Sequence, residues 1–66
     1  MLDLKELRMT KMITQKQLAD IVGVERATIG NIENKVSQPS IKTAMALGKY
    51  FNVDWRKFYE EAEETN

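Results

Sequence analysis

The side chains able to do chemistry in this 66-residue sequence are amides, guanidinium groups and ammonium groups. There is no cysteine and no histidine. That excludes a disulfide framework, a Cys/His zinc site and catalysis by thiol or imidazole. No glycine-rich phosphate loop is present and no carboxylate dyad stands out; Glu60, Glu61, Glu63 and Glu64 read as a solvated acidic tail. No catalytic residue, metal site, cofactor or small-molecule substrate is therefore expected. Directional hydrogen-bonding groups do gather in one stretch, residues 25–33. At about 100° per residue, Ile29 and Ile32 mark an inward side of a helix. The opposite side carries Ala27, Gly30, Asn31 and Asn34, with Arg26 at its N-terminal shoulder. A merely solvated helix usually shows charged residues there. Small and amide residues suit a groove instead: Asn pairs bidentately with adenine, Arg with guanine, and Ala touches a thymine methyl. The candidate base-contacting residues are Arg26, Ala27, Thr28 and Asn31. Each has a plainer reading as an exposed helix position, and Arg26 as a phosphate contact that positions without specifying.

Such a face needs neighbouring elements to hold it. Apolar residues recur at helical spacing along nearly the whole chain, and no stretch alternates with period 2 for long. The pattern predicts an all-α, compact bundle of five short helices. Helix 1 starts at Asp3, where Asp3 and Glu6 have capping-box spacing and Leu2 and Leu7 can staple across it; it runs to about Lys11. Thr14-Gln15-Lys16-Gln17 opens helix 2 with a second capping box, and Gly23 ends it in the left-handed region. Val24 then plugs the gap to helix 3, which spans residues 25–33. The sequence from 34 to 39 is a loop. Ser40 caps helix 4, which runs to about Phe51 with Ile41, Ala44, Met45 and Gly48 inward. Gly48 points to a close approach between helices. Asn52 takes a left-handed cap, and Asp54 caps helix 5, which holds Trp55, Phe58 and Tyr59. Helices 2 and 3, with the short turn between them, have the spacing of a helix-turn-helix over residues 15–33. The plainer reading of that spacing is an αα-hairpin in any small bundle.

The length allows one domain. The net charge is zero, but unevenly spread. Ten bases face six acids in residues 1–59, a net +4, and the tail at 60–66 carries −4. A mildly basic body is compatible with a polyanion partner without demanding one. No run approaches the roughly 20 apolar residues of a membrane span, and no leader pattern is visible at the N-terminus, so a cytoplasmic protein is expected.

The residues Leu4-x-x-Leu7-Arg8, Ile13-Thr14-Gln15-x-x-Leu18-Ala19, Val22-Gly23-Val24, Thr28-Ile29-x-x-Ile32-Glu33-Asn34, Gln38-Pro39-Ser40-Ile41 and Val53-Asp54 carry a family resemblance. Together they resemble the phage Cro and repressor type of helix-turn-helix, the lambda-repressor-like or XRE-like domains, over residues 4 to about 59. The resemblance divides the chain into a DNA-binding domain at 1–59 and the acidic tail at 60–66. It implies that Gln15 contacts a phosphate and braces the recognition helix, and that Arg26, Ala27 and Asn31 sit at reading positions. Asn34 and Lys35, in the loop after helix 3, are implied as phosphate contacts. Lys11, Lys16 and Lys42 are candidate phosphate neighbours, each with a plainer reading as a solvated lysine. Arg8 and Glu33 are implied as a partly buried structural pair.

Three residues depart from the family pattern. Lys35 replaces the usual Gly, so Asn34 is expected to take the left-handed conformation in its place. Met12 stands where Gly often sits, so the turn between helices 1 and 2 is expected to differ. Glu25 stands where a capping Ser or Thr is usual, adding negative charge near the DNA. Trp55, Phe58 and Tyr59 exceed what so small a core buries, and they are the candidate contact of a homodimer. The implied function is a sequence-specific transcriptional regulator, a repressor from a phage, prophage or mobile element, on a palindromic operator. The alternative is a protein-interaction module on the same fold, an antitoxin or anti-repressor.

Overall fold

The computed structural model describes residues 2–59. The acidic tail expected at 60–66 lies outside the described residues. Four α-helices follow in order: α1 (Leu4–Thr10), α2 (Gln15–Val22), α3 (Arg26–Glu33) and α4 (Ile41–Phe51). A 3-10 turn, Trp55–Tyr59, closes the fold. Among the described residues there is no strand, and no helix is long and apolar enough to cross a membrane.

Local chemistry sets most helix ends. The Asp3 carboxylate accepts from the amides of Lys5 and Glu6. Thr14 and Gln17 form a reciprocal capping box, and Ser40 accepts from the amide of Thr43. These side chains satisfy amide donors that a helix start leaves without partners. Gly23 ends α2 at φ 81° and Asn52 ends α4 at φ 59°, both left-handed. α3 differs, for its N-cap residue Glu25 makes no side-chain capping bond.

Leu4, Leu18, Ala19, Ile29, Ile32, Ala44, Leu47, Phe51 and Phe58 form the core. α2 packs chiefly on α3, and α4 on the closing turn. Two expectations about the second half need correcting. In α4, Ile41 and Met45 face solvent, at 61% and 50% exposed, whereas Leu47 and Phe51 face inward with Ala44 and Gly48. The expected fifth α-helix is a five-residue 3-10 turn, in which the Lys57 amide closes a short ring onto the Asp54 carbonyl. The close approach at Gly48 involves that turn rather than a helix. A Cβ there would lie 2.8 Å from the Val53 carbonyl oxygen and 2.9 Å from the Trp55 Cβ.

The two departures from glycine keep a glycine-like backbone. Met12 adopts φ 57° with its side chain 91% exposed. Lys35 adopts φ 62°, whereas Asn34 stays at φ −89°, so Lys35 and not Asn34 takes the left-handed conformation. Each turn thus holds a non-glycine residue in the left-handed region, at a local backbone cost.

Candidate nucleic-acid interface

The backbone of α3 divides its side chains as its wheel requires. Ile29 and Ile32 are buried, whereas Arg26, Ala27, Asn31 and Asn34 are exposed. Thr28 and Gly30 are half-buried at the margins of that face. Val24 packs against the core from the turn, and its amide donates to the Ala19 carbonyl at 2.9 Å. At the other end, the Asn31 carbonyl accepts from the amides of Val36 and Ser37 at 2.9 and 3.3 Å. That folds the loop back onto the helix and leaves the Asn31 carboxamide without a hydrogen bond inside the described residues.

A chain of polar contacts from α1 to α3 stiffens this face. Arg8 donates to Glu33 through Nε at 2.6 Å and Nη2 at 3.2 Å, and through Nη1 to the Ile13 carbonyl at 2.8 Å. Gln15, the first residue of α2, donates from Nε2 to Glu33 Oε1 at 3.0 Å. Its Oε1 accepts from Arg26 Nη1 at 2.8 Å. The Glu33 side chain is 2% exposed and that of Arg8 13%. Burial alone pushes the Glu33 carboxyl up; the hydrogen bonds from Arg8 and Gln15, with the charges of Arg8 and Lys5, outweigh it and hold it below the ordinary carboxylate range. The same hydrogen bond raises the Arg8 guanidinium further, against its own burial.

A helix-turn-helix geometry with an open second helix is now in place, and comparison with known proteins agrees with it. The helix-turn-helix family model matches residues 4–58. The chain belongs to the XRE-type helix-turn-helix family. It is 33% identical over 58 residues to the uncharacterised HTH-type transcriptional regulator YqaF of Bacillus subtilis, across 88% of this chain and 76% of that one. It is 42% identical over 50 residues to the uncharacterised HTH-type transcriptional regulator MJ0272 of Methanocaldococcus jannaschii, across 76% of each. A further HTH-type regulator, from Archaeoglobus fulgidus, is 41% identical over 50 residues, across 76% of this chain and 70% of that one. As a member of the XRE-type family the chain is a DNA-binding transcriptional regulator and not an enzyme.

The cations expected beside DNA in this XRE-type domain differ in what they already do. Lys35, in the loop between α3 and α4, and Lys42, in the first turn of α4, are exposed. Lys16 is exposed but ion-paired with Asp20 one turn on, at 3.4 Å; such a pair is weak enough for a phosphate to compete. Lys11 lies 5.0 Å over the ring of Tyr50, a residue that borders a groove with Ile21 and Val22 of α2. That contact draws it toward the α2–α4 side. The three aromatic residues of the closing turn also separate. Phe58 is 4% exposed within the chain's own core, which withdraws it from the expected dimer contact. Trp55 and Tyr59 are half-buried, packed edge to face at 6.3 Å, and the Tyr59 hydroxyl donates to the Pro39 carbonyl. Burial raises the Tyr59 phenol.

Two contacts were not read from the residues themselves: Gln15 to Glu33 and Gln15 to Arg26. The family resemblance implied that Gln15 braces helix 3, but no local spacing relates a residue in α2 to one at each end of α3. A second such feature is Gly30, where an added Cβ would meet the Gln15 amide at 3.8 Å, an ordinary contact.

Proposed function

We propose that this protein is a sequence-specific repressor of the phage, prophage or mobile-element kind, acting in the cytoplasm. It lays α3 in the major groove and binds a palindromic operator as a homodimer. Arg26, Ala27, Thr28 and Asn31 contact base edges. Gln15, Asn34, Lys35 and Lys42, with Lys16 released from Asp20, hold phosphates. The observation that carries this reading is the exposed α3 face, where small residues flank an unengaged Asn31 and an Arg26 already steadied by Gln15. Asn and Arg are the side chains whose paired donors and acceptors match the adenine and guanine edges. The polar groups around that face fix the register on the backbone.

Selection of bound sites from random duplex DNA at stated salt tests the reading. A palindrome with half-sites about one helical turn apart is the expected product. Enrichment of no sequence, with DNA bound only in the presence of a second protein, would replace it with the interaction-module reading.

A further inference from the structure

We infer that Glu33, a residue too buried to touch DNA, is a positioning residue that aims Arg26 at its base by fixing which way the Gln15 carboxamide points. The inference rests on the proposed reading of Arg26 as a base contact.

The argument is one of donors and acceptors. An ionised carboxylate only accepts, a guanidinium only donates, and a carboxamide does one at each end. Glu33 Oε1 takes the Gln15 Nε2 donor at 3.0 Å. The other end of the same amide is then an acceptor, and it faces Arg26, whose Nη1 donates to it at 2.8 Å. Turning the amide over would set oxygen against carboxylate and NH2 against guanidinium, so both contacts oppose reversal. Arg8 keeps Glu33 in place and charged through two further bonds, at 2.6 and 3.2 Å. The amide is also seated in space. Both of its terminal atoms lie 3.8 Å from where a Gly30 Cβ would be. Residues 26, 30 and 33 form one stripe of α3, and Gln15 lies along it from one end to the other. Arg26 therefore meets a groove with one donor engaged and the rest of its fork free, a long side chain ordered before the DNA arrives. The polarity of that contact is set seven residues away at Glu33.

The test measures discrimination, not affinity. Dissociation constants are taken on the selected duplex and on the duplex altered at the base pair whose preference Arg26→Ala relaxes. In Glu33→Gln, the new amide can keep its oxygen on Arg8 and offer its NH2 to Gln15. Gln15 then turns its oxygen inward and presents NH2 to the guanidinium, donor against donor. Discrimination at that base pair should fall roughly tenfold, to the level of Arg26→Ala, within the range of a bidentate base contact. Combining the two substitutions should lower it no further. Because discrimination is a ratio within one preparation, a reduced folded fraction cancels. Should Glu33→Gln lose its helical circular dichroism, Arg8→Met/Glu33→Leu removes both charges and leaves the Gln15 amide held at its Arg26 end only, and discrimination should again fall. Weaker binding to every sequence with wild-type discrimination would overturn the inference and leave Glu33 purely structural. If Arg26→Ala leaves every base preference unchanged, the proposed reading of Arg26 fails, and the positioning role with it.

Discussion

Arg8 and Glu33 belong to the fold as much as to the surface. Removing one member of a buried pair leaves the other charge without its counter-ion where water reaches poorly, at a cost of about 3–5 kcal/mol; Glu33 would keep only Gln15, and Arg8 only the Ile13 carbonyl. That cost is about the whole stability a core of this size supplies. Arg8→Met should therefore be largely unfolded at room temperature, and Arg8→Met/Glu33→Leu should recover most of the loss, as urea titrations followed by circular dichroism would show. A single variant as stable as the parent would mean that the pair contributes little. The direction of the Glu33 shift adds a pH dependence. Its folded value lies below its unfolded one, so its contribution is present above the ordinary carboxylate value and is lost as pH falls through the folded value. The melting temperature should be level from neutral pH down to about pH 5 and fall below about pH 4, and Glu33→Gln should blunt that fall. The Asn31 side chain faces outward only. Asn31→Ala should leave stability unchanged, weaken the selected site by about 1–3 kcal/mol and relax one base position. Unchanged preference would remove Asn31 from the readers.

Whether a feature of an element could be read from the sequence depends on how local its cause is. The caps at Asp3, Thr14, Ser40, Gly23 and Asn52 are set within a few residues, and they occur where the sequence places them. The phase of α4 is not local. Ile41, Ala44, Met45 and Gly48 share one helical spacing, and Ala44, Leu47, Gly48 and Phe51 share the same spacing three residues later. The neighbours that Leu47 and Phe51 meet decide between the two, and that information lies elsewhere in the chain. The same holds for Lys35. Steric preference favoured Asn34 for the left-handed position, but the loop closing onto Asn31 requires it one residue later. Two glycines test this distinction with opposite signs. Gly48→Ala gains about 1 kcal/mol of helix propensity but drives its methyl into the Val53 carbonyl and Trp55. Overpacking of that kind costs about 1–3 kcal/mol, so the variant should melt lower. Gly30→Ala meets only ordinary contact with Gln15. It should melt a few degrees higher and yet bind the selected duplex roughly tenfold more weakly, since its methyl is added beside Gln15 at the margin of the face proposed to approach the bases. A stabilised variant with undiminished binding would show that this part of α3 keeps its distance from DNA.

At the scale of the whole molecule, the size of the proposed reading element argues for two copies. α3 has eight residues, a length of about 12 Å, which spans only a few base pairs. A genome offers roughly 10⁶–10⁹ competing sites, too many for one such contact to distinguish. Two copies on a palindrome double the sequence read and combine two modest affinities through their shared contact. With Phe58 in the core, Trp55 and Tyr59 are what the closing turn offers a second copy, and their exposed edges are small. A small contact makes pairing on DNA the expected route, with a monomer in dilute solution. Sedimentation should accordingly show one copy when free and two on the selected duplex. Because half-sites read by a twofold pair must lie on one face of the duplex, inserting five base pairs between them should lower affinity at least roughly tenfold, toward that of a lone half-site. An unchanged affinity after that insertion would mean that each copy reads alone, and the specificity of a single α3 would then have to come from the shape of the DNA it binds.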